Sequence, residues 1–162
     1  PDGTTPANCA LVGTVTERQS MVVIVDCTTT AGTQEQITAT LDYDAIYDRN
    51  SSLATIAGNF QDVGEVGEPI VNIAGDGTIF FQDPSTGCVV NGQVSIIDAD
   101  FNAYDFEVLY SNCTGSMANF NDSVFSGVAL LDNTENQEEL IAVTTGVVEG
   151  VLSSDISFYD RL

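Results

Sequence analysis

The sequence predicts an all-β, antiparallel fold: a small three-stranded N-terminal unit followed by an up-and-down barrel of about eight strands. A two-sheet sandwich is the alternative, and a single short helix is expected near 51–57. Three observations carry this. Apolar residues recur with a period of two, β-branched and aromatic residues cluster between turn residues, and strand-like segments return at short intervals from Gly58 onward. No crossover helix separates consecutive strands, as an up-and-down barrel requires.

The first hairpin sets Cys9–Thr16 against Met21–Cys27. One register brings Leu11 opposite Val25, Gly13 opposite Val23 and Val15 opposite Met21, and that same register puts Cys9 opposite Cys27. Hydrophobic pattern and cysteine placement therefore select the pairing independently. A third strand, Gln36–Asp42, points Ile37, Ala39 and Leu41 inward and its threonines outward. The stretch 43–50 is linker-like. Asn50 or Ser51 then caps a helix over Ser52–Ala57, which Gly58 stops.

Eight strands follow: Gly58–Asp62, Pro69–Ala74, Thr78–Gln82, Cys88–Ile97, Ala103–Cys113, Val124–Leu131, Glu139–Thr145 and Ser153–Asp160. Asp76-Gly77 is a hairpin turn, and Asp83-Pro84-Ser85-Thr86-Gly87 turns the next corner. In the hairpin after it, Val90 aligns with Tyr110, Gly92 with Val108, Val94 with Phe106 and Ile96 with Tyr104. Cys88 and Cys113 fall one position out of that register, and a bulge or a frayed ladder end reconciles them. Four cysteines allow three connectivities. The predicted one is Cys9–Cys27 with Cys88–Cys113, each bridge closing a hairpin. The domains are then 1–48, a stapled three-strand unit with a loose tether over 1–8, and 49–162, the short helix and the barrel.

Composition bounds the function. The 162 residues hold 24 Asp and Glu against three cations, Arg18, Arg49 and Arg161, for a net charge of −21, with no lysine, histidine or tryptophan. At 43% hydrophobic residues the chain can build a core, so the charge is not the mark of disorder. A pI near 4.1 argues against nucleic acid and anionic membranes as partners, since both call for Lys and Arg in numbers. No apolar run reaches spanning length, and the longest, MVVIV at 21–25, is strand-sized, so no membrane insertion is expected. An even set of cysteines without histidine or a CxxC pair favours disulfides over metal, hence an oxidising, extracellular or cell-surface location. The opening PDGTTPAN reads as a tether left by processing, and Thr5-Pro6-Ala7-Asn8 before Cys9 is not a lipoprotein cleavage pattern.

The same absences remove most catalysis. Ser-His-Asp, Cys-His and Ser-Lys arrangements, Schiff bases and the P-loop lysine are all excluded. Neither D-T-G nor D-S-G occurs, and without tryptophan a sugar cleft lacks its usual stacking platform. The chain is expected not to be an enzyme and to need no cofactor, with Ca²⁺ as the one candidate. Asp98, Asp100 and Asn102 offer oxygen ligands at alternate positions, as at the start of a Ca²⁺ loop. The loop's glycine is missing, its twelfth position is Leu109, and Asp and Asn also stabilise a plain hairpin tip. Asp42, Asp44 and Asp48 read as solvated, or as a partner for Arg49. The sequons at Asn50, Asn112 and Asn121 read as chance matches. The aromatics on predicted strands, among them Phe81, Tyr104, Phe106, Tyr110 and Phe125, fill a barrel or line a small-ligand pocket within it.

Four segments together carry a resemblance: YDAIYDRNSSLATIAGNF (43–60), GDGTIFFQDPSTGCVVNGQVSI (75–96), NAYDFEVLYSNC (102–113) and FSGVALLD (125–132). Over about residues 37–132 the chain resembles a family of secreted or surface lipoproteins of Gram-negative bacteria. The resemblance implies a surface location and a barrel half, not an activity. The chain departs from the family pattern in its short N-terminal half and in lacking a lipobox at Cys9. A small strand unit followed by an eight-stranded barrel is also similar, at the level of fold, to the transferrin-binding surface lipoproteins.

The expected function is a rigid, disulfide-stapled structural or interaction unit displayed outside the cell, assembling with other copies or with other surface proteins. The three-strand unit offers the edge for a neighbour to join. Arg18 and Arg161 are the candidate interface cations. The alternatives are a barrel holding a small apolar ligand and a Ca²⁺-dependent binding or adhesion module.

Overall fold

The structure, a computed structural model, describes residues 7–62, 69–134 and 136–162, so most of the predicted tether lies outside the described residues. The chain divides into two compact units, one ending at Ala45 and one beginning at Ile46.

The first unit is a sheet of three strands in sequence order: β1 (Ala7–Thr16), β2 (Ser20–Thr29) and β3 (Gln34–Asp42). Its pairing is the predicted one, with Leu11 opposite Val25, Val15 opposite Met21, and Cys9 bonded to Cys27. Arg18 sits at the hairpin tip with φ 53°, and the Gln19 amide donates to the Thr16 carbonyl at 3.0 Å. Because β3 sets Leu41 opposite Met21 and Ile37 opposite Val25, the odd-numbered residues of all three strands share one face. That face was expected to be inward. Instead Ile37 is 40% and Leu41 50% exposed, and only Val23 and Cys27 of the unit's described residues are buried. The reason is thickness: one layer of strands has no second layer of its own to bury an apolar row against.

The second unit is a closed antiparallel barrel in the order β10-β11-β4-β5-β6-β7-β8-β9, which settles barrel over sandwich. Its strands are β4 (Gly58–Asp62), β5 (Ile70–Ile73), β6 (Thr78–Gln82), β7 (Val89–Ile96), β8 (Tyr104–Ser111), β9 (Val124–Asp132), β10 (Glu139–Val148) and β11 (Val151–Arg161). Closure rests on β11 meeting β4, with Tyr159 opposite Asp62 and Arg161 opposite Phe60. Hydrophobic alternation fills the interior. Phe60, Ile79, Val90, Val94, Tyr104, Leu131 and Leu140 are wholly buried, each contributing about 2 to 3 kcal/mol by transfer. The β10–β11 turn has Glu149 and Gly150 both at positive φ, the type I′ geometry that matches strand twist. At Gly127 the strands pass so closely that a Cβ would strike the Val143 carbonyl oxygen and stand 2.8 Å from Thr144 Cα.

Up-and-down connectivity sends alternate connections to opposite ends of the barrel. At one end the short helix α1 (Leu53–Ile56) tucks the wholly buried Ile56 under the strands. Its cap is Ser52, one residue beyond the predicted pair, and the Ser52 side chain accepts from the Thr55 amide at 3.0 Å. The linker-like stretch also forms a 3-10 turn over Ala45–Asp48. At the other end lie the Cys88–Cys113 bridge and a 3-10 turn over Gly115–Phe120 that the sequence did not signal. The β7–β8 ladder stops at Val89 opposite Ser111, so the cysteines lie beyond its frayed end, which accommodates the predicted one-residue offset.

Candidate functional site

Asp98, Asp100 and Asn102 fall at the helix end of the barrel, where the structure separates them. The Asp98 carboxylate accepts from the Asp100 amide at 3.0 Å, an Asx turn, and both aspartates are exposed. Asn102 is 1% exposed. Its Nδ2 donates to the carbonyls of Leu131 (2.7 Å) and Ile46 (3.1 Å), and its Oδ1 accepts from the Leu131 amide at 3.2 Å. That oxygen is therefore occupied, and the amide serves as a peptide surrogate that latches segment 46–51 to the barrel. Ser51 completes the latch by donating its hydroxyl to the Asp98 carbonyl at 3.0 Å, and Tyr47 stacks on Phe101 at 4.9 Å. Among the described residues no group of three or more Asp, Glu, His or Cys side chains is arranged to hold a metal ion. Asn121, read as a sequon, repeats the surrogate pattern. Its Oδ1 accepts from the Cys113 amide at 2.8 Å and its Nδ2 donates to the Cys113 carbonyl at 2.9 Å.

Arg161 belongs to this same end. Its Nε donates to Glu138 at 2.5 Å, its Nη1 and Nη2 donate to the carbonyls of Ala57 and Thr55 at 2.7 Å each, and its guanidinium lies 4.7 Å from the Phe60 ring centroid. Arg49 Nη1 reaches the other Glu138 oxygen at 2.6 Å, as an ion pair rather than a directed hydrogen bond. Two of the chain's three cations thus converge on one carboxylate, and Arg161 fastens the end of α1 rather than presenting itself to a neighbour. Arg18 stays at its hairpin tip.

Two features among the described residues are suited to meet another molecule. The first is β1. Asn8–Thr16 are all exposed, with Leu11 at 65% and Val15 at 69%. β1 is an outer strand of its sheet, ten residues long, without a charge and without a proline. Natural edges are blunted by charge, proline, bulges or brevity, and β1 carries none of these. The other outer strand, β3, carries Glu35 and Asp42.

The second is a cavity of about 180 Å³ at the disulfide end of the barrel, whose lining includes Asp62, Phe81, Asp83, Tyr110, Met117 and Tyr159. Hydrogen bonds from the side chains of Thr86 and Ser85 hold the Asp83 carboxyl below the usual carboxylate range. Burial pushes the Tyr110 phenol up to about 12, and burial raises Tyr159 as well, with Asp155 and Asp62 nearby adding to it. Both phenols are neutral at physiological pH. Sequence reasoning had placed Phe81 and Tyr110 in the barrel core or a pocket, and they form the wall of one at its mouth. Asp62 and Asp83 carried no sequence signal, because strand ends and turns hold aspartates for local reasons.

The two disulfides are compatible with an extracellular or periplasmic protein. No helix among the described residues is long and apolar enough to cross a membrane. No protein-family model, curated protein or solved structure matches the chain.

Proposed function

We propose that this chain is a non-enzymatic assembly unit of the cell exterior, joined to a second copy by pairing of β1 with β1. The carrying observation is the unprotected β1 edge, neutral in a chain of net charge −21. Self-repulsion opposes contact almost everywhere on such a molecule, and a ten-residue neutral strand is where two copies meet at least electrostatic cost. Main-chain hydrogen bonds supply the pairing, and alternating side chains such as Leu11 and Val15 set its register. The surface setting is supported by the two disulfides and by the resemblance to secreted or surface lipoproteins.

Light scattering on the non-reduced protein tests this. Raising ionic strength from about 0.01 M to about 1 M shortens the Debye length from about 30 to about 3 Å. The mass should then rise from 17.1 kDa to a multiple of it. Leu11→Lys/Val15→Lys should remain monomeric with an unchanged circular dichroism spectrum. A monomer at every salt concentration, or assembly undiminished by the two lysines, overturns the proposal.

A further inference from the structure

We propose that the cavity at the disulfide end of the barrel is a binding site for a small organic cation, an alkylated ammonium group, held by the Asp62 and Asp83 carboxylates against the rings of Phe81, Tyr110 and Tyr159. This reading is independent of assembly through β1.

Size comes first. A cavity near 150 Å³ holds a benzene molecule, so the 180 Å³ present here suits a head group of tetramethylammonium dimensions. The walls come next. Phe81 and Tyr110 contact each other edge to face, with centroids 6.5 Å apart and planes at 87°, so the wall they form is made of two rings lying in different planes. Tyr159 is a third ring, and Met117 adds a polarizable thioether. Ring faces attract cations, most strongly where water is displaced, and cages of this composition suit quaternary ammonium groups.

Charge separates the ligand classes. Among the described residues the lining holds two acids and no base, in a chain carrying −21 overall, so an anion is disfavoured. A neutral apolar ligand would draw no attraction from the two carboxylates, of which Asp62 is exposed and Asp83 half-buried. A bare metal ion is poorly served as well. Asp83 Oδ1 already accepts from the Ser85 amide and hydroxyl at 2.8 and 2.7 Å, and Oδ2 accepts from Thr86 Oγ1 at 2.5 Å. A hard cation demands several free oxygens at short range. An alkylated ammonium asks only for diffuse negative potential and ring faces, and this cavity offers both.

The test is a titration of the whole, oxidised protein with tetramethylammonium chloride, read by amide chemical shifts. Sodium chloride at equal ionic strength and tert-butanol, a neutral molecule of similar bulk, serve as controls. Saturable shifts confined to 62, 71, 81–88, 110, 117 and 159 are expected, with a dissociation constant of roughly a millimolar. Tert-butanol should bind about tenfold more weakly. Asp62→Asn, at an exposed strand end, and Tyr159→Leu should each weaken binding about fivefold, while Tyr159→Phe, which keeps the ring, should retain it. Equal binding of tert-butanol, shifts reproduced by sodium chloride, or no saturation overturns the proposal. If Tyr159→Leu does not fold, the comparison of Asp62→Asn with Tyr159→Phe decides.

Discussion

Replacing Asn102 by alanine should cost the barrel about as much as removing a large core side chain. The side chain satisfies three main-chain groups: the amide and carbonyl of Leu131 and the carbonyl of Ile46, all within 2.7–3.2 Å. Leu131 is wholly buried and Asn102 nearly so, which limits replacement by water. A buried group left without a partner costs about 1–3 kcal/mol, so three sum to roughly 3–6 kcal/mol once partial relaxation is allowed. Against a typical domain stability of about 5–15 kcal/mol, that is a large fraction. Urea unfolding followed by tyrosine fluorescence measures it, since four of the five tyrosines (Tyr47, Tyr104, Tyr110 and Tyr159) belong to the barrel unit. Asn121→Ala, with the same bonding pattern at an exposed position, is the internal control and should lose only about 1 kcal/mol. Asn102→Asp gives the loss a pH signature. A carboxylate cannot donate to the two carbonyls, and burial raises its folded pKa above the unfolded value. Its penalty is therefore full at neutral pH and relieved as pH falls through that raised pKa, when the protonated acid donates again. A loss below about 1 kcal/mol for Asn102→Ala, together with a pH-independent Asn102→Asp, would refute the latch and the burial argument behind it.

Two further outcomes follow from the barrel's geometry. Gly127→Ala drives a Cβ into the Val143 carbonyl and toward Thr144 Cα, so β9 and β10 must part. The expected cost is about 1–3 kcal/mol, a fall in Tm of roughly 5–10 °C by calorimetry, whereas a gain would mean that the strands do not approach this closely. Glu139 lies directly opposite Asp132 on one neighbouring strand and Asp160 on the other, and its carboxyl titrates above the usual range through desolvation, then through these two charges. An acid raised in the folded state destabilises the fold when ionised, and that penalty fades as pH falls through its pKa. Glu139→Gln should therefore stabilise by a few tenths of a kcal/mol at pH 7 and change nothing at pH values below about 4, read from urea midpoints at the two conditions. A benefit that persists in acid would point to a cause other than charge.

Sequence alone determined what nearest-neighbour pairing determines. Each hairpin is a local contest in which alternation, turn residues and cysteine position agree, so the registers at Leu11–Val25 and Val90–Tyr110 and both disulfides were legible before any three-dimensional information. The absence of lysine and histidine bounded the chemistry in the same way. Tertiary structure decided whatever depends on residues far apart in the chain. Closure brings Arg161 to Phe60, and the guanidinium then meets carbonyls more than a hundred residues away, so a cation that read as an interface group became part of the barrel's own fastening. Asn102 resembled a Ca²⁺ ligand because spacing is local, while its partner Leu131 is brought close only by β8 and β9 pairing. The cavity at the mouth gathers Asp62, Asp83 and Tyr159 from three separate stretches, and no spacing in the sequence encodes that meeting. Exposure was decided last. Alternation tells which residues share a face, but only the number of layers says whether that face is covered, and in the N-terminal unit a single layer leaves Leu11, Ile37 and Leu41 in contact with water.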